Sequence, residues 1–296
     1  MKKTKKLRVG IIGIGMVGTP LKRWFEESGY KRGENLFLYD IDSKKAYFDN
    51  INMADIIFIA VPTPRRNNGS CDLSAVINAL ERIATELPKI VVIKSTVPPG
   101  TTEAIQKKSP QWKLLSNPEF LTERRAWEDF VRPDRQIVGF TEKSIDAAHT
   151  VLSLLPKAPF MSPWGIGTYD QFRITATEAE VIKYGGNIYF VRKVNFANMV
   201  NNLCETLKIN YENVREGMAA DFRIGDSHLD VNHGGYRGWG GHCFPKDLDA
   251  FIDFLYRLGL EEAAKILEAD QRFNAKLLFS QGLTAEGVSP NKIPTL

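Results

Sequence analysis

Ten consecutive residues, Gly238-Trp239-Gly240-Gly241-His242-Cys243-Phe244-Pro245-Lys246-Asp247, set a thiol, an ammonium and a carboxylate among glycines. Pro245 suits the first turn of a helix, which puts Cys243 at a helix N-terminus beside Lys246. Positive potential there favours thiolate, the nucleophilic form. Asp247, four residues on, can share the face of Cys243, and the glycines let backbone approach a ligand closely. The chemistry this implies is covalent, with a thiolate adding to an electrophilic carbon. His242 could help activate the thiol, but successive helical residues face different ways.

A second constellation lies near the start of the chain. Gly13-Ile14-Gly15-Met16-Val17-Gly18 follows an apolar run and opens an amphipathic stretch from Met16 to Glu27. In that context the first glycine permits a tight turn, the second lets backbone approach a pyrophosphate, and the third lets helix and strand pack closely. The helix N-terminus then receives the negative charge. Asp40 ends the next apolar run 22 residues after Gly18, where a carboxylate accepts hydrogen bonds from an adenosine ribose and repels a 2′-phosphate. The cofactor implied is NAD in preference to NADP. Lys44 and Lys45, just beyond, either neutralise a cofactor phosphate or stand in solvent.

The elements that must position these groups follow from periodicity. Leu7–Ile12, Leu36–Asp40, Asp55–Val61, Lys89–Thr96, Trp112–Ser116 and Arg135–Phe140 read as strands alternating with amphipathic stretches. That rhythm predicts an α/β fold, an N-terminal Rossmann domain with a doubly wound parallel sheet. From Thr175 to Lys208 the pattern becomes one long helix without proline, and Asp247–Leu258 and Glu261–Phe279 continue with helical periodicity. The expected division is a dinucleotide-binding domain over residues 1–165 and a mostly helical dimerisation domain over 166–296. The boundary falls in the Pro/Gly-containing stretch Pro156–Gly167.

With these motifs in view, the chain strongly resembles the UDP-glucose/GDP-mannose dehydrogenase family. The resemblance also covers Val61-Pro62-Thr63-Pro64, Lys94-Ser95-Thr96-Val97-Pro98-Pro99-Gly100, Asn117-Pro118-Glu119-Phe120-Leu121-Thr122-Glu123, Lys183-Tyr184-Gly185-Gly186-Asn187 and the run from Arg223 to His228. It implies oxidation of the 6-hydroxymethyl of a nucleotide sugar, UDP-glucose above all, to a carboxylate. Two hydrides pass to two NAD, through a thiohemiacetal and a thioester on Cys243. Lys183 and Asn187, at i and i+4, can hold an alkoxide, and Lys183 can act as a base if partly desolvated. Gly185 and Gly186 between them cost about 1 kcal/mol each relative to alanine, which suggests close packing or a ligand.

By resemblance Asp247 and Thr96 would orient a water, Glu119 would serve thioester hydrolysis, and Glu123 would lie near the nicotinamide. Lys45, Thr63, Thr96 and Lys246 would join Gly13, Gly15, Gly18 and Asp40 at the cofactor. Phe120, Leu121 and Gly240 would border the sugar, and Arg223 would reach across a homodimer into the neighbour's substrate. Members usually carry a third domain that binds the nucleotide, whereas this sequence ends at Leu296, so a chain without that UDP-binding domain is expected. Two further departures are the short segment Ile41–Ala54 and His242, where members carry a smaller or non-basic residue. The alternative is a non-catalytic NAD-binding relative, or a partner subunit of a full-length dehydrogenase.

Bulk properties narrow the rest. The 296 residues are 43% hydrophobic and 25% charged, an ordinary globular composition. Of the formal net charge of +4, the tail residues Lys2, Lys3, Lys5, Lys6 and Arg8 account for all, so no basic surface remains for nucleic acid. No apolar stretch approaches the roughly 20 residues that span a bilayer, so no membrane partner is expected. Three widely spaced cysteines, Cys71, Cys204 and Cys243, make neither a disulfide framework nor a metal site. They fit a reducing, cytoplasmic setting.

Overall fold

The structure, a computed structural model, describes residues 6–84, 88–163, 173–284 and 287–288. Lys2, Lys3, Lys5 and residues 164–167 of the expected boundary lie outside the described residues. The apolar runs become strands and the amphipathic stretches become helices. In order these are β1 (Val9–Ile12), α1 (Gly18–Glu27), β2 (Leu36–Tyr39), β3 (Ile56–Ile59), α2 (Ser74–Glu81), β4 (Ile90–Ile93) and α3 (Thr101–Lys108). There follow β5 (Lys113–Ser116), α4 (Ala126–Val131), β6 (Arg135–Ile137), β7 (Gly139–Phe140), α5 (Ile145–Leu154) and β8 (Phe160–Ser162). Four helices come last: α6 (Ala176–Leu207), α7 (Tyr211–Ala219), α8 (Cys243–Arg257) and α9 (Glu261–Phe279).

The chain forms two compact units, one of residues 1–64 and 72–183, the other of 65–71 and 184–296. The first is built on a six-stranded sheet in the order β2-β1-β3-β4-β5-β7. Its first five strands are parallel, with Val9 opposite Leu36 on one side and Ile56 on the other. Helices cover both faces, so alternate residues of one strand enter different cores. Ile11, Leu38, Phe58 and Val92 pack with Leu21 and Phe25 of α1, while Ile12, Phe37, Ile57 and Ile93 pack with Val76 and Leu80 of α2. Double burial explains why these strands read as continuous apolar runs instead of alternating ones.

The run Arg135–Phe140, expected as one strand, is broken. β6 pairs with β8 in a separate two-stranded sheet, and β7 turns back antiparallel on β5. The Val138 amide donates to Ser162 O. A Cβ on Gly139 would lie 2.6 Å from Thr175 O and 2.7 Å from the Ala179 Cβ. This close approach to the start of α6 admits no side chain.

The second unit is helical. Ile188 and Val191 of α6 pack with Leu248, Ile252 and Leu255 of α8 and with Ala264 and Leu267 of α9. Ala197 and Cys204 pack with Tyr211, Leu229 and Val231. Along α6, Tyr189, Phe196, Met199, Leu203 and Leu207 stay exposed, at the seven-, three- and four-residue spacings of a single apolar stripe. Among the described residues no helix is long and apolar enough to cross a membrane.

Phe58 is fully buried at the centre of the sheet. Phe58→Ala should lower the unfolding free energy by about 3–5 kcal/mol, read from the denaturant midpoint at unchanged slope.

Candidate functional site

In the first unit the glycine loop lies at the carboxyl ends of β1 and β3, the point where the strand order reverses and open α/β sheets bind ligands. Gly13 has a φ of +91°, and a Cβ there would meet Ala60 O at 2.5 Å. A Cβ on Gly18 would come within 1.9 Å of Gly13 O, whereas one on Gly15 would meet nothing within 4 Å. The turn therefore excludes side chains at its ends and leaves the backbone open at its middle.

Asp40, almost fully buried, holds this loop. Its Oδ2 accepts from Ile14 N at 2.7 Å and from Lys45 Nζ at 2.8 Å, and its Oδ1 accepts from Asp42 N at 2.9 Å. Lys45 also donates to Ile14 O at 3.0 Å, so its ammonium is tied to the loop instead of standing in solvent. Burial alone would raise the Asp40 pKa, but hydrogen bonds from Lys45, Asp42 and Ile14 outweigh it and hold the carboxyl below its usual value. One lone pair of Oδ1 is left, which suits a ribose hydroxyl. Open backbone at Gly15 and an ionised acceptor at Asp40 fit a dinucleotide.

The loop after β4 carries Thr96, half-buried, whose carbonyl accepts from Thr63 Oγ1 at 2.7 Å. Beyond β5, Glu119 and Lys183 are each 5% exposed and form an ion pair at 2.8 Å. Glu119 Oε2 accepts from Leu121 N at 2.7 Å. Burial alone would raise the Glu119 pKa, but the charge and hydrogen bond of Lys183, with Leu121 N and Lys94, hold it below the ordinary value. The Phe120 ring lies 5.9 Å from Lys183 Nζ and 4.1 Å from the Arg135 guanidinium. Glu123 is exposed on the single turn Glu123–Arg125.

Sequence reasoning assigned no role to Lys94. It is 3% exposed, donates to Asn117 Oδ1 at 2.8 Å, and is pushed down to about 8 by burial, against the pull of Glu119. The available signal was a lysine directly after the apolar run Ile90–Ile93, whose last three residues are buried.

In the second unit Cys243 is the first residue of α8 and half-buried. Asp247, one turn on and 1% exposed, accepts from Asn187 Nδ2 of α6 at 2.6 Å and pairs with Lys246. Burial alone would lower the Lys246 pKa. The charge and hydrogen bond of Asp247, then the charges of Cys243 and Cys71, instead raise it. Thiol, ammonium and carboxylate thus form one cluster with Asn187.

The glycine-rich approach to Cys243 is fastened from both sides. Asn274 of α9 accepts from Trp239 N and donates to Trp239 O, both at 2.9 Å, and Trp239 Nε1 donates to Asn195 Oδ1 of α6. Gly240 follows, half-buried, and His242 is exposed. Gly185 is not explained by close packing, since a Cβ there would meet nothing within 4 Å. Arg223 is 76% exposed at its side chain and pairs with its neighbour Asp221. Cys204 is a buried core residue. Among the described residues no group of His, Cys, Asp and Glu could hold a metal ion.

Comparison with known proteins agrees with this architecture. Residues 40–153 match the UDP-glucose/GDP-mannose dehydrogenase family, NAD binding domain, and residues 177–276 match the central domain of the same family. UDP-glucose 6-dehydrogenase of Pseudomonas aeruginosa is 33% identical, covering 91% of this chain and 66% of that protein. The Rickettsia bellii enzyme of that name is 34% identical over 77% of this chain and 51% of its own length. The chain thus spans about half to two thirds of the length of these curated relatives. Among solved structures, a UDP-glucose dehydrogenase from Pyrobaculum islandicum superposes with a TM-score of 0.77 at 28% identity, covering 95% of this chain and 72% of that one.

The buried pair Glu119–Lys183 generates a stability prediction. Glu119→Gln leaves the lysine buried without its counter-charge and should cost about 3–5 kcal/mol. The double variant Glu119→Gln/Lys183→Met should lose less than the sum of the single variants. Because the folded pKa of Glu119 is depressed from 4.5, its contribution is fully present above that pH and is lost as pH falls through the folded value. Additive single-variant effects in denaturant titrations at pH 7 would refute the pairing.

Proposed function

Because the chain belongs to the UDP-glucose/GDP-mannose dehydrogenase family, we propose that it oxidises the 6-hydroxymethyl of a nucleotide sugar, with UDP-glucose the first substrate to test, to the carboxylate. The cofactor is NAD; when bound, it would supply the hydride acceptor for each of the two oxidations. The observation that carries this reading is the cluster at the start of α8, where Cys243 and Lys246 share a helix turn with a buried Asp247 tied to Asn187.

In the first oxidation the alcohol loses its hydroxyl proton to solvent through the water held by Asp247 and Thr96, and a carbon-bound hydrogen with its electron pair to the bound dinucleotide. Lys183 and Asn187, four residues apart on α6, stabilise the developing alkoxide. As an ammonium paired with Glu119, Lys183 suits this electrostatic role better than that of a base. The Cys243 thiolate then adds to the aldehyde carbon, and the thiohemiacetal oxygen pushes out the second hydrogen with its electron pair to leave a thioester. Water oriented by Asp247 and Thr96, with Glu119 taking its proton, attacks the thioester carbon. The C–S bond breaks, the product carboxylate forms, and the Cys243 thiol is regenerated.

Phe120, Leu121 and Gly240 border the sugar, while Gly13, Gly15, Gly18, Asp40, Lys45, Thr63, Glu123 and Lys246 serve the cofactor. The apolar stripe on α6 supports a homodimer, in which Arg223 completes the neighbouring site. Two helix stripes of this kind bury each other's exposed area.

Two measurements test the reading. Wild-type protein should form two NADH per UDP-glucose, whereas Cys243→Ala should release only aldehyde at one NADH per sugar and bind NAD as before; carboxylate from Cys243→Ala would refute the covalent mechanism. Met199→Glu/Leu203→Glu should convert a dimer to a monomer on size exclusion at micromolar concentration. A wild type that is monomeric there and fully active would refute the assembly.

A further inference from the structure

We infer that Glu180 is a positioning residue for the proposed oxidation, its carboxylate clamping the amino end of α3 to α6 and so fixing the Thr96 loop against Lys183. Glu180 is 1% exposed and takes no part in the chemistry above. Its Oε2 accepts from Gly100 N at 2.6 Å, and its Oε1 accepts from Thr102 N at 2.9 Å and Thr102 Oγ1 at 2.6 Å. These amides are among those that a helix start leaves without intrahelical partners. Gly100, in the left-handed conformation, supplies no side-chain cap of its own, so α3 is capped by a residue far along the chain.

The clamp reaches reacting groups in both directions. Thr96 lies four residues before Gly100, across Pro98 and Pro99, whose locked φ angles transmit position with little slack. Its carbonyl is pinned from the other side by Thr63. Along α6, Lys183 follows Glu180 by three residues, one helical turn. A change in the seat of Glu180 therefore moves the Thr96 loop and the Lys183 turn relative to one another.

Ionisation matters to the clamp, because a proton on Oε2 would oppose the Gly100 N–H and one on Oε1 would oppose that of Thr102. Burial pushes the Glu180 carboxyl up, to about 7, against the hydrogen bonds from Thr102, Gly100 and Thr101. Besides Glu180, the charged side chains on the segments packed there are Glu103, Lys107 and Lys108 of α3 and, over residues 176–183 of α6, Glu178 and Lys183. Glu178 is held by Thr175, and Lys183 by Glu119. A folded pKa above the ordinary 4.5 means that folding favours the protonated form and that this term weakens stability as pH rises toward 7. A neutral glutamine at this position therefore carries no such penalty above pH 7, and Glu180→Gln should fold.

The test compares wild type and Glu180→Gln with NAD and UDP-glucose from pH 6 to 9, alongside amide hydrogen exchange over Gly100–Thr102 corrected for intrinsic rates. Wild-type kcat should rise through pH 7. In Glu180→Gln that limb should vanish and kcat at pH 8 should fall about tenfold or more, as expected when reacting groups are misplaced. The KM for NAD should rise by less than kcat falls, because the loop carrying Thr96 shifts while Gly13, Gly15 and Asp40 keep their places at the cofactor. The Gly100–Thr102 amides should exchange faster in the variant. An unchanged kcat and an unchanged limb would overturn the proposal, as would equal exchange in the two proteins. If the wild type oxidises no nucleotide sugar, the proposed activity fails, while the exchange measurement still decides the clamp.

Discussion

Two charges removed from water must neutralise one another or be driven out of the fold, and the ion pair between Glu119 and Lys183 answers to that demand. Each ion alone would carry a desolvation penalty of several kcal/mol, so the turn after β5 and the second turn of α6 have no freedom to separate. That fixes the start of α6, and other features conform to it. Gly139 can carry no side chain because α6 passes against it. Glu180, one turn before Lys183, meets the amino end of α3, and Lys94 finds the Asn117 amide and the opposing charge of Glu119. The first unit is thus organised around neutralising a few buried charges as much as around its two apolar cores.

The parallel sheet was legible because strands buried on both faces must be apolar throughout, and helices at the surface must not be. The glycine loop was legible for a different reason, since the demands at Gly13 and Gly18 are steric and admit one residue type. Asp40 could be read as an acceptor, but not its union with Lys45. That lysine lies on a short turn whose direction depends on where Asp42 caps it, and periodicity carries no information on single turns. The break at Val138 was equally hidden, for Arg135–Phe140 reads as one run and what divides it is that β6 and β7 meet different strands.

The buried polar residues show most clearly where sequence reasoning stops. Lys94 and Glu180 sit in segments whose pattern announces a strand end and a helix, and their types alone suggest solvent-facing charges. What makes them internal is the approach of distant segments, Asn117 to one and Gly100–Thr102 to the other. Gly185 went the opposite way. Its cost to helix stability suggested close packing or a ligand, and the open space beside it removes the first of the two.

Charge balance distinguishes the two clusters and bears on the chemistry assigned to them. In the first unit the ammoniums of Lys94 and Lys183 surround the single carboxylate of Glu119, leaving an excess of positive charge in a place sheltered from water. Fixed positive charge in a low-dielectric setting stabilises an oxyanion without reorganising when that charge develops. In the second unit Lys246 and Asp247 neutralise each other beside Cys243, and Asn187 adds a neutral donor to the same carboxylate. A charge on Cys243 helps to raise the Lys246 pKa, so ammonium and sulfur feel one another, the kind of electropositive setting in which thiolates are found. In the proposed reaction the two clusters would therefore have different tasks, one the support of negative oxygen and the other the supply of a sulfur nucleophile.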